Sequence, residues 1–230
     1  MTNGRHEELT AGFVRLMVDS EVLRFGDFVA RSGRRTPYFV DAGRYRSGPQ
    51  LAQLGRYYAA AIHATFGAGG VDVLFGPAYK GIPLAVATGI ALATEYDTEV
   101  GVAFDRKEAK DHGEGGTIIG HQPRDGDRIV IVEDVTTAGT SIRATVPLLR
   151  GVADVEVVGL VVGVDRRERG SGPASALEEL AEEFGLRTVA LATIDDVVRL
   201  LTGVEVAGVP VLSEADLDRI AAYRAEHGAS

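Results

Sequence analysis

Apolar residues recur at helical spacing in the first part of the chain: Leu9, Phe13, Leu16 and Met17, then, after the break at Ser47-Gly48-Pro49, Leu51, Leu54, Tyr58 and Ile62. Residues three and four apart share one face of a helix, so two helices are predicted before the first clear strand. Beyond residue 70 the pattern changes. Short unbroken Val/Ile/Leu-rich runs over 71–75, 100–104, 129–132, 155–164 and 188–193 alternate with helical stretches over 81–95, 140–150 and 174–184. Strands with one wet face alternate polar and apolar residues, whereas parallel strands buried on both faces do not. The runs therefore predict an α/β fold with a central, mainly parallel sheet flanked by helices. Ser213 is placed to cap a last helix that carries Leu217 and Ile220 on one face and can cover a sheet edge or a partner. No repeat and no Pro/Ser-rich linker divides the 230 residues. They read as one domain, 1–230, with a helix and small hood region over about 1–50 and a core over 51–230.

Composition adds exclusions. At 45% hydrophobic and 25% charged residues the chain is an ordinary globular one. Its length suffices to bury about 70% of the surface of the unfolded chain without a metal or disulfide staple. With no Cys, a thiol nucleophile and Cys-ligated zinc are excluded. A net charge of −9 argues against a general nucleic-acid binder, which needs clustered Lys and Arg, but leaves room for a small polyanion in a local pocket. The N-terminal stretch has no apolar run fit for a signal peptide, and no run reaches the ~18 residues of a membrane span. A cytoplasmic protein without membrane or nucleic-acid partners is expected. Of the 24 Lys and Arg residues only Lys80, Lys107 and Lys110 are Lys, which calls for a reason.

The most informative stretch runs from Arg128 to Arg143. A buried strand ends in two adjacent acids, Glu133 and Asp134, and the residues Val135, Thr136, Thr137, Ala138, Gly139, Thr140 and Ser141 turn from it into a helix. Ligands of open α/β sheets bind at the carboxyl ends of strands. A small-residue loop entering a helix presents backbone N–H groups and the positive end of the helix dipole, which together cradle phosphate. Carboxylates beside a phosphate repel it unless they hold sugar hydroxyls or face a divalent cation. The combination asks for a ribose 5-phosphate; an ordinary strand-to-helix turn with a Gly bend and a Thr cap is the alternative. It is not a Walker A loop, since the Gly-Lys-Ser/Thr ending is missing.

A second strand-to-helix turn, 76–81, offers backbone amides and the Lys80 ammonium to a pyrophosphate; a plain turn with a surface Lys is the alternative. The segment 105–116 is charged, rich in Gly and Ala, and without an apolar anchor, which is the composition of a surface loop. Cations carried by a closing loop can stabilise a departing anion while excluding water. Arg106, Lys107, Lys110 and His112 would supply them. His6, His63 and His121 are scattered, with no zinc-ligand spacing.

VIVEDVTTAGTSIR (130–143) resembles the phosphoribosyl pyrophosphate (PRPP) signature of the type I phosphoribosyltransferases. RSGRRTPYF (31–39), FGPAYKGIPL (75–84) and FDRKEAKDHGEGG (104–116) resemble the orotate phosphoribosyltransferases within that family, over about 23–170. The resemblance implies the type I fold. It also implies transfer of ribose 5-phosphate from PRPP to N1 of orotate, giving orotidine 5′-phosphate and pyrophosphate in de novo pyrimidine synthesis. PRPP would meet Arg31, Tyr79, Lys80, the loop cations and 133–141, with Lys110 and His112 catalytic. Orotate would meet Arg31, Phe39, Val40, Thr137 and Arg166. Mg²⁺ would be the cofactor, held by substrate oxygens and water with no direct protein ligand. The resemblance further implies a homodimer in which loop 105–116 is shared, Arg106, Lys110 and His112 reaching the neighbouring site and Lys107 its own. Arg31, Val40 and Asp105 depart from the Lys, Phe and Asn of enteric-type members.

Overall fold

Six hydrogen-bonded strands form the frame that positions the loops singled out above. The structure is a computed structural model and describes residues 3–29, 34–106, 117–136 and 138–229. In chain order the elements are α1 (Asn3–Asp19), β1 (Leu23–Val29), β2 (Arg35–Val40), α2 (Gly48–Phe66), β3 (Val73–Phe75), α3 (Gly81–Tyr96), β4 (Gly101–Asp105) and β5 (Ile118–Gly120). There follow β6 (Arg128–Thr136), α4 (Thr140–Val152), β7 (Glu156–Asp165), α5 (Ala176–Phe184), β8 (Arg187–Thr193), α6 (Ile194–Leu201), β9 (Glu205–Val206), β10 (Val209–Pro210) and α7 (Glu214–His227).

The central sheet has the order β5-β4-β3-β6-β7-β8. All its pairings are parallel except that of the edge strand β5, which runs antiparallel to β4. Strand β6 shows why the apolar runs are unbroken. Its Val130 and Val132 belong to a core cluster built with α1, α2, α3, α6 and α7, while Ile129 and Ile131 belong to a second one built with α4 and α5. Both faces are dry, so neither set of alternate residues can be polar.

Topology then fixes the location of a crevice. From β3 the chain passes through α3 to β4 on one side; from β6 it passes through α4 to β7 on the other. The loops leaving the adjacent carboxyl ends of β3 and β6 thus diverge, opening the switch-point cleft where α/β sheets bind ligands.

The predicted parallel α/β core is observed. Three further features were not legible as regular elements: the antiparallel β1–β2 hairpin, the antiparallel edge β5, and the α6 to β10 segment. Gly26 at φ 148 and a register shift between Phe25 and Phe28 break the alternation that would have marked β1. The last helix is capped by Ser213 as expected, with Ile220 buried and Leu217 half-buried. It does not cover an edge of the central sheet. It packs on β2, where the Tyr38 and Tyr223 rings meet edge-on at 5.9 Å, because its aromatic residue finds a buried acid there. Among the described residues no helix is long and apolar enough to cross a membrane.

Candidate active site

Helix starts set the two sequence-predicted phosphate loops apart from four other helices. Helices α2, α5, α6 and α7 each begin with a complete capping box, from Ser47, Ser175, Thr193 and Ser213. Helices α3 and α4, which start at the ends of β3 and β6, carry no side-chain cap. The first N–H groups of an uncapped helix need a partner, and with the dipole behind them they favour an anion. Gly139 caps α4 in the left-handed region, φ 70, which a side chain would strain. At the other turn Gly76 and Gly81 pack against each other: a Cβ on Gly76 would stand 2.1 Å from the Gly81 carbonyl oxygen. Both turns therefore require glycine for the fit of the loop itself.

The acid pair lies between these helix ends. Tyr58 of α2 donates to the Glu133 carbonyl at 2.8 Å and so ties the end of β6 to the layer beneath. The Glu133 carboxylate accepts from Ser141 Oγ at 3.1 Å. Burial, and then repulsion from Asp134, push it up to about 7. Asp134 accepts from the Val135 N–H at 2.9 Å and from Lys80 Nζ at 3.0 Å. Burial of the Lys80 stem works against its charge, but the Asp134 carboxylate outweighs this and holds the ammonium above its ordinary range. Lys80 thus links the two loops across the switch point. The Asp105 departure also has a local role, since its Oδ1 accepts from the Ala78 N–H at 2.6 Å and ties the end of β4 to the 76–81 turn. An Asn side-chain oxygen could accept the same bond.

A cavity of about 520 Å³ opens over this crevice. Of the sequence-predicted residues, Phe39, Val40, Lys80, Asp134, Val135, Ala138 and Arg166 line it. Phe39 is tilted against Phe28 at 5.8 Å, and Val40 packs on the core. Tyr79 stands outside, exposed, beside a smaller pocket that Lys80 shares. Thr136 is buried, and its Oγ1 has no hydrogen-bond partner among the described residues. Gly139, Thr140 and Ser141 form the entry to α4. Arg106 follows β4, its N–H donating to the Thr117 carbonyl at 2.8 Å. Arg31, Lys107, Lys110, His112 and Thr137 lie outside the described residues. Of the remaining histidines, His121 meets Asp127 at 2.9 Å and His63 stacks on Tyr96 at 4.4 Å.

Comparison with known proteins agrees with this geometry. Residues 41–189 match the family model described as the phosphoribosyl transferase domain. The orotate phosphoribosyltransferase of Clostridium beijerinckii is 50% identical over 217 residues, covering 94% of this chain and 96% of the relative. The chain belongs to the orotate phosphoribosyltransferase family. That of Bifidobacterium longum is 43% identical, over 97% of this chain and 99% of its own length. Among solved structures, the Francisella tularensis orotate phosphoribosyltransferase superposes with a TM-score of 0.78 at 32% identity, over 94% of this chain and 99% of that one.

Several residues of this family member's cavity escaped sequence reasoning. Arg34, Glu168 and Tyr223 line it beside Arg166, and so does Arg143. Arg143 donates from Nη1 to the Ala138 carbonyl at 2.6 Å and from Nε to Glu183 at 2.7 Å, bracing the loop before α4 against α5. Nothing in VDRRERG, which carries both Asp165 and Glu168, singled out Glu168.

Proposed function

We propose that this chain is an orotate phosphoribosyltransferase of the cytoplasm, transferring ribose 5-phosphate from PRPP to N1 of orotate and releasing pyrophosphate. The observation that carries this reading is the acid pair of β6 set between two uncapped helix starts that Lys80 bridges. The 5-phosphate takes the amides at the start of α4. Ribose hydroxyls donate to Glu133 and Asp134, and pyrophosphate lies along 77–81 with Lys80. As the C1–oxygen bond breaks, positive charge grows on the ribose, where the two carboxylates stabilise it, and negative charge grows on pyrophosphate, where Lys80 and the loop cations do. Orotate N1 supplies the electron pair, so the protein needs no nucleophile. The apolar wall of Phe39 and Val40 with the Arg166 guanidinium suits a planar base that carries a carboxylate.

Among the described residues no three His, Asp or Glu side chains stand together as a metal site, and Asp134 is already engaged by Lys80 and the Val135 amide. This suits Mg²⁺ that would be held chiefly by substrate oxygens and water, with no direct protein ligand. The ion would supply neutralisation of pyrophosphate charge. Loss of the orotate absorbance on adding PRPP and Mg²⁺ tests the reaction. No loss with orotate, and consumption of PRPP with a purine instead, would reject the assignment of the base.

Lysine at position 80 fits the proposed role because a compact ammonium can serve Asp134 and a phosphate at once, whereas a planar guanidinium reaches further and binds flat. Lys80→Arg is expected to raise the KM for PRPP about tenfold with orotate KM unchanged, in initial rates against each substrate. An unchanged PRPP KM would leave the scarcity of Lys as a matter of composition.

The homodimer is part of the same proposal. A groove of about 370 Å³ between α2 and α3 leaves Val86 41% and Ile90 61% exposed on α3, the helix that follows Lys80. A second copy is proposed to cover it; that loop 105–116 is shared between the two copies is what the resemblance implies. Ile90→Asp is expected to yield monomers in sedimentation at micromolar concentration; a dimer that persists would move the interface elsewhere.

A further inference from the structure

Arg166 enters the cavity wall with one side of its fork already engaged. Its Nη2 donates to Thr36 Oγ1 at 2.9 Å and lies 2.6 Å from Glu168 Oε1, and its Cζ sits 4.9 Å from the centre of the Tyr38 ring. The residue is 8% exposed, and its Nε–H has no hydrogen-bond partner among the described residues. A buried donor without a partner is costly and is rare in native proteins unless something else satisfies it.

Glu168 holds the other end of this arrangement. It is as buried as Arg166. Its Oε1 accepts from Tyr38 Oη at 3.1 Å and from Tyr223 Oη at 2.9 Å, and its Oε2 accepts from Arg34 Nη1 at 3.3 Å. The donors come from the hood strand β2, from the residue just before it, and from α7, segments remote in sequence. Backbone bonds fasten the same junction: the Arg169 N–H donates to the His227 carbonyl at 2.9 Å, and the Ala229 N–H to the Arg167 carbonyl at 2.8 Å. A buried acid and base are poor devices for stability alone, since well-packed apolar residues of similar size do as well or better. What a carboxylate with this many donors does provide is orientation. It fixes one end of a guanidinium that an aromatic ring already backs at 4.9 Å, so Arg166 stands preorganised in the cavity wall.

We propose that Glu168 is the positioning residue for base recognition. It holds Arg166 in the orientation that meets orotate, and is itself locked by Tyr38 of the hood and Tyr223 of the last helix. This rests on the assignment of Arg166 to orotate made above. The hood and the chain's last helix thereby become parts of one base site.

Glu168→Gln keeps the shape and an acceptor for the tyrosines but loses the charge that orients Arg166. Initial rates against each substrate, with the other saturating, are expected to show orotate KM raised roughly tenfold and PRPP KM within about twofold of the parent. The double variant with Arg166→Gln should have the orotate KM of Arg166→Gln alone, because the acid acts through the base. Unchanged orotate KM in Glu168→Gln beside a raised one in Arg166→Gln overturns the positioning role only. Equal rises in both KM values, or effects that multiply in the double variant, overturn it as well, since a merely structural acid would give those. Unchanged orotate KM in Arg166→Gln rejects the assignment of Arg166 to orotate, and the positioning role with it. Should Glu168→Gln fail to fold, Tyr223→Phe decides: a rise in orotate KM of about threefold with PRPP KM unchanged supports the role, and no rise overturns it.

Discussion

Lys110→Ala is expected to lower kcat by a factor on the order of 10² to 10³, the usual loss when one preorganised donor to developing charge is removed. Pyrophosphate carries its extra negative charge only as the bond to ribose C1 breaks. A donor that meets that charge stabilises the transition state more than bound PRPP, so its loss falls on kcat and leaves the KM for PRPP nearly unchanged. Lys110 sits in a charged, Gly-rich segment with no apolar anchor, so the variant should unfold within about 2 °C of the parent. Product release can mask a slowed chemical step. Single-turnover formation of orotidine 5′-phosphate under excess enzyme is therefore the decisive measurement. Turnover like that of the parent in that assay would remove Lys110 from the chemistry and return the loop to a solvated surface turn.

Legibility in the sequence followed burial. Strands β3, β6, β7 and β8 were readable because both their faces are packed, which forces unbroken apolar runs. The hairpin β1–β2 was not, because it lies on the cavity side with mixed exposure and a register shift, so no period survives. The two phosphate loops were legible through small residues that backbone approach demands, as Gly76, Gly81 and Gly139 show. Phe39 and Arg166 were named as site residues by resemblance, not by spacing. Neither route reached Glu168 or Tyr223. Their role arises from three segments meeting in space, and a carboxylate at the centre of such a junction has no one-dimensional signature.

Glu133→Gln should trade activity for stability in a pH-dependent way. In the unfolded chain Glu133 titrates near its ordinary 4.5; in the folded protein burial, and then Asp134, push it up to about 7. Between those values the folded state holds a proton that the unfolded state has released, so stability falls as pH rises through that window and levels off above it. The Gln variant has no such loss. Its Tm should match the parent's near pH 4.5 and exceed it at pH 8, by an amount that corresponds to no more than about 3–4 kcal/mol. The same charge is what the ribose requires. Hydroxyl donors bind an ionised carboxylate more strongly than a protonated one, so PRPP binding by the parent should tighten as pH rises toward and through 7. In the variant the part of that dependence due to Glu133 should vanish, leaving the titration of the PRPP phosphates themselves, and kcat/KM for PRPP at pH 8 should fall on the order of 10²-fold, since a charged hydrogen-bond partner and a carboxylate facing the cationic ribose are lost together. Thermal melts and PRPP titrations across pH 5 to 8 read both halves. A variant no more stable than the parent at pH 8 would mean that Glu133 is solvated in the free protein. A PRPP profile identical to the parent's would show that the ribose hydroxyls are held elsewhere.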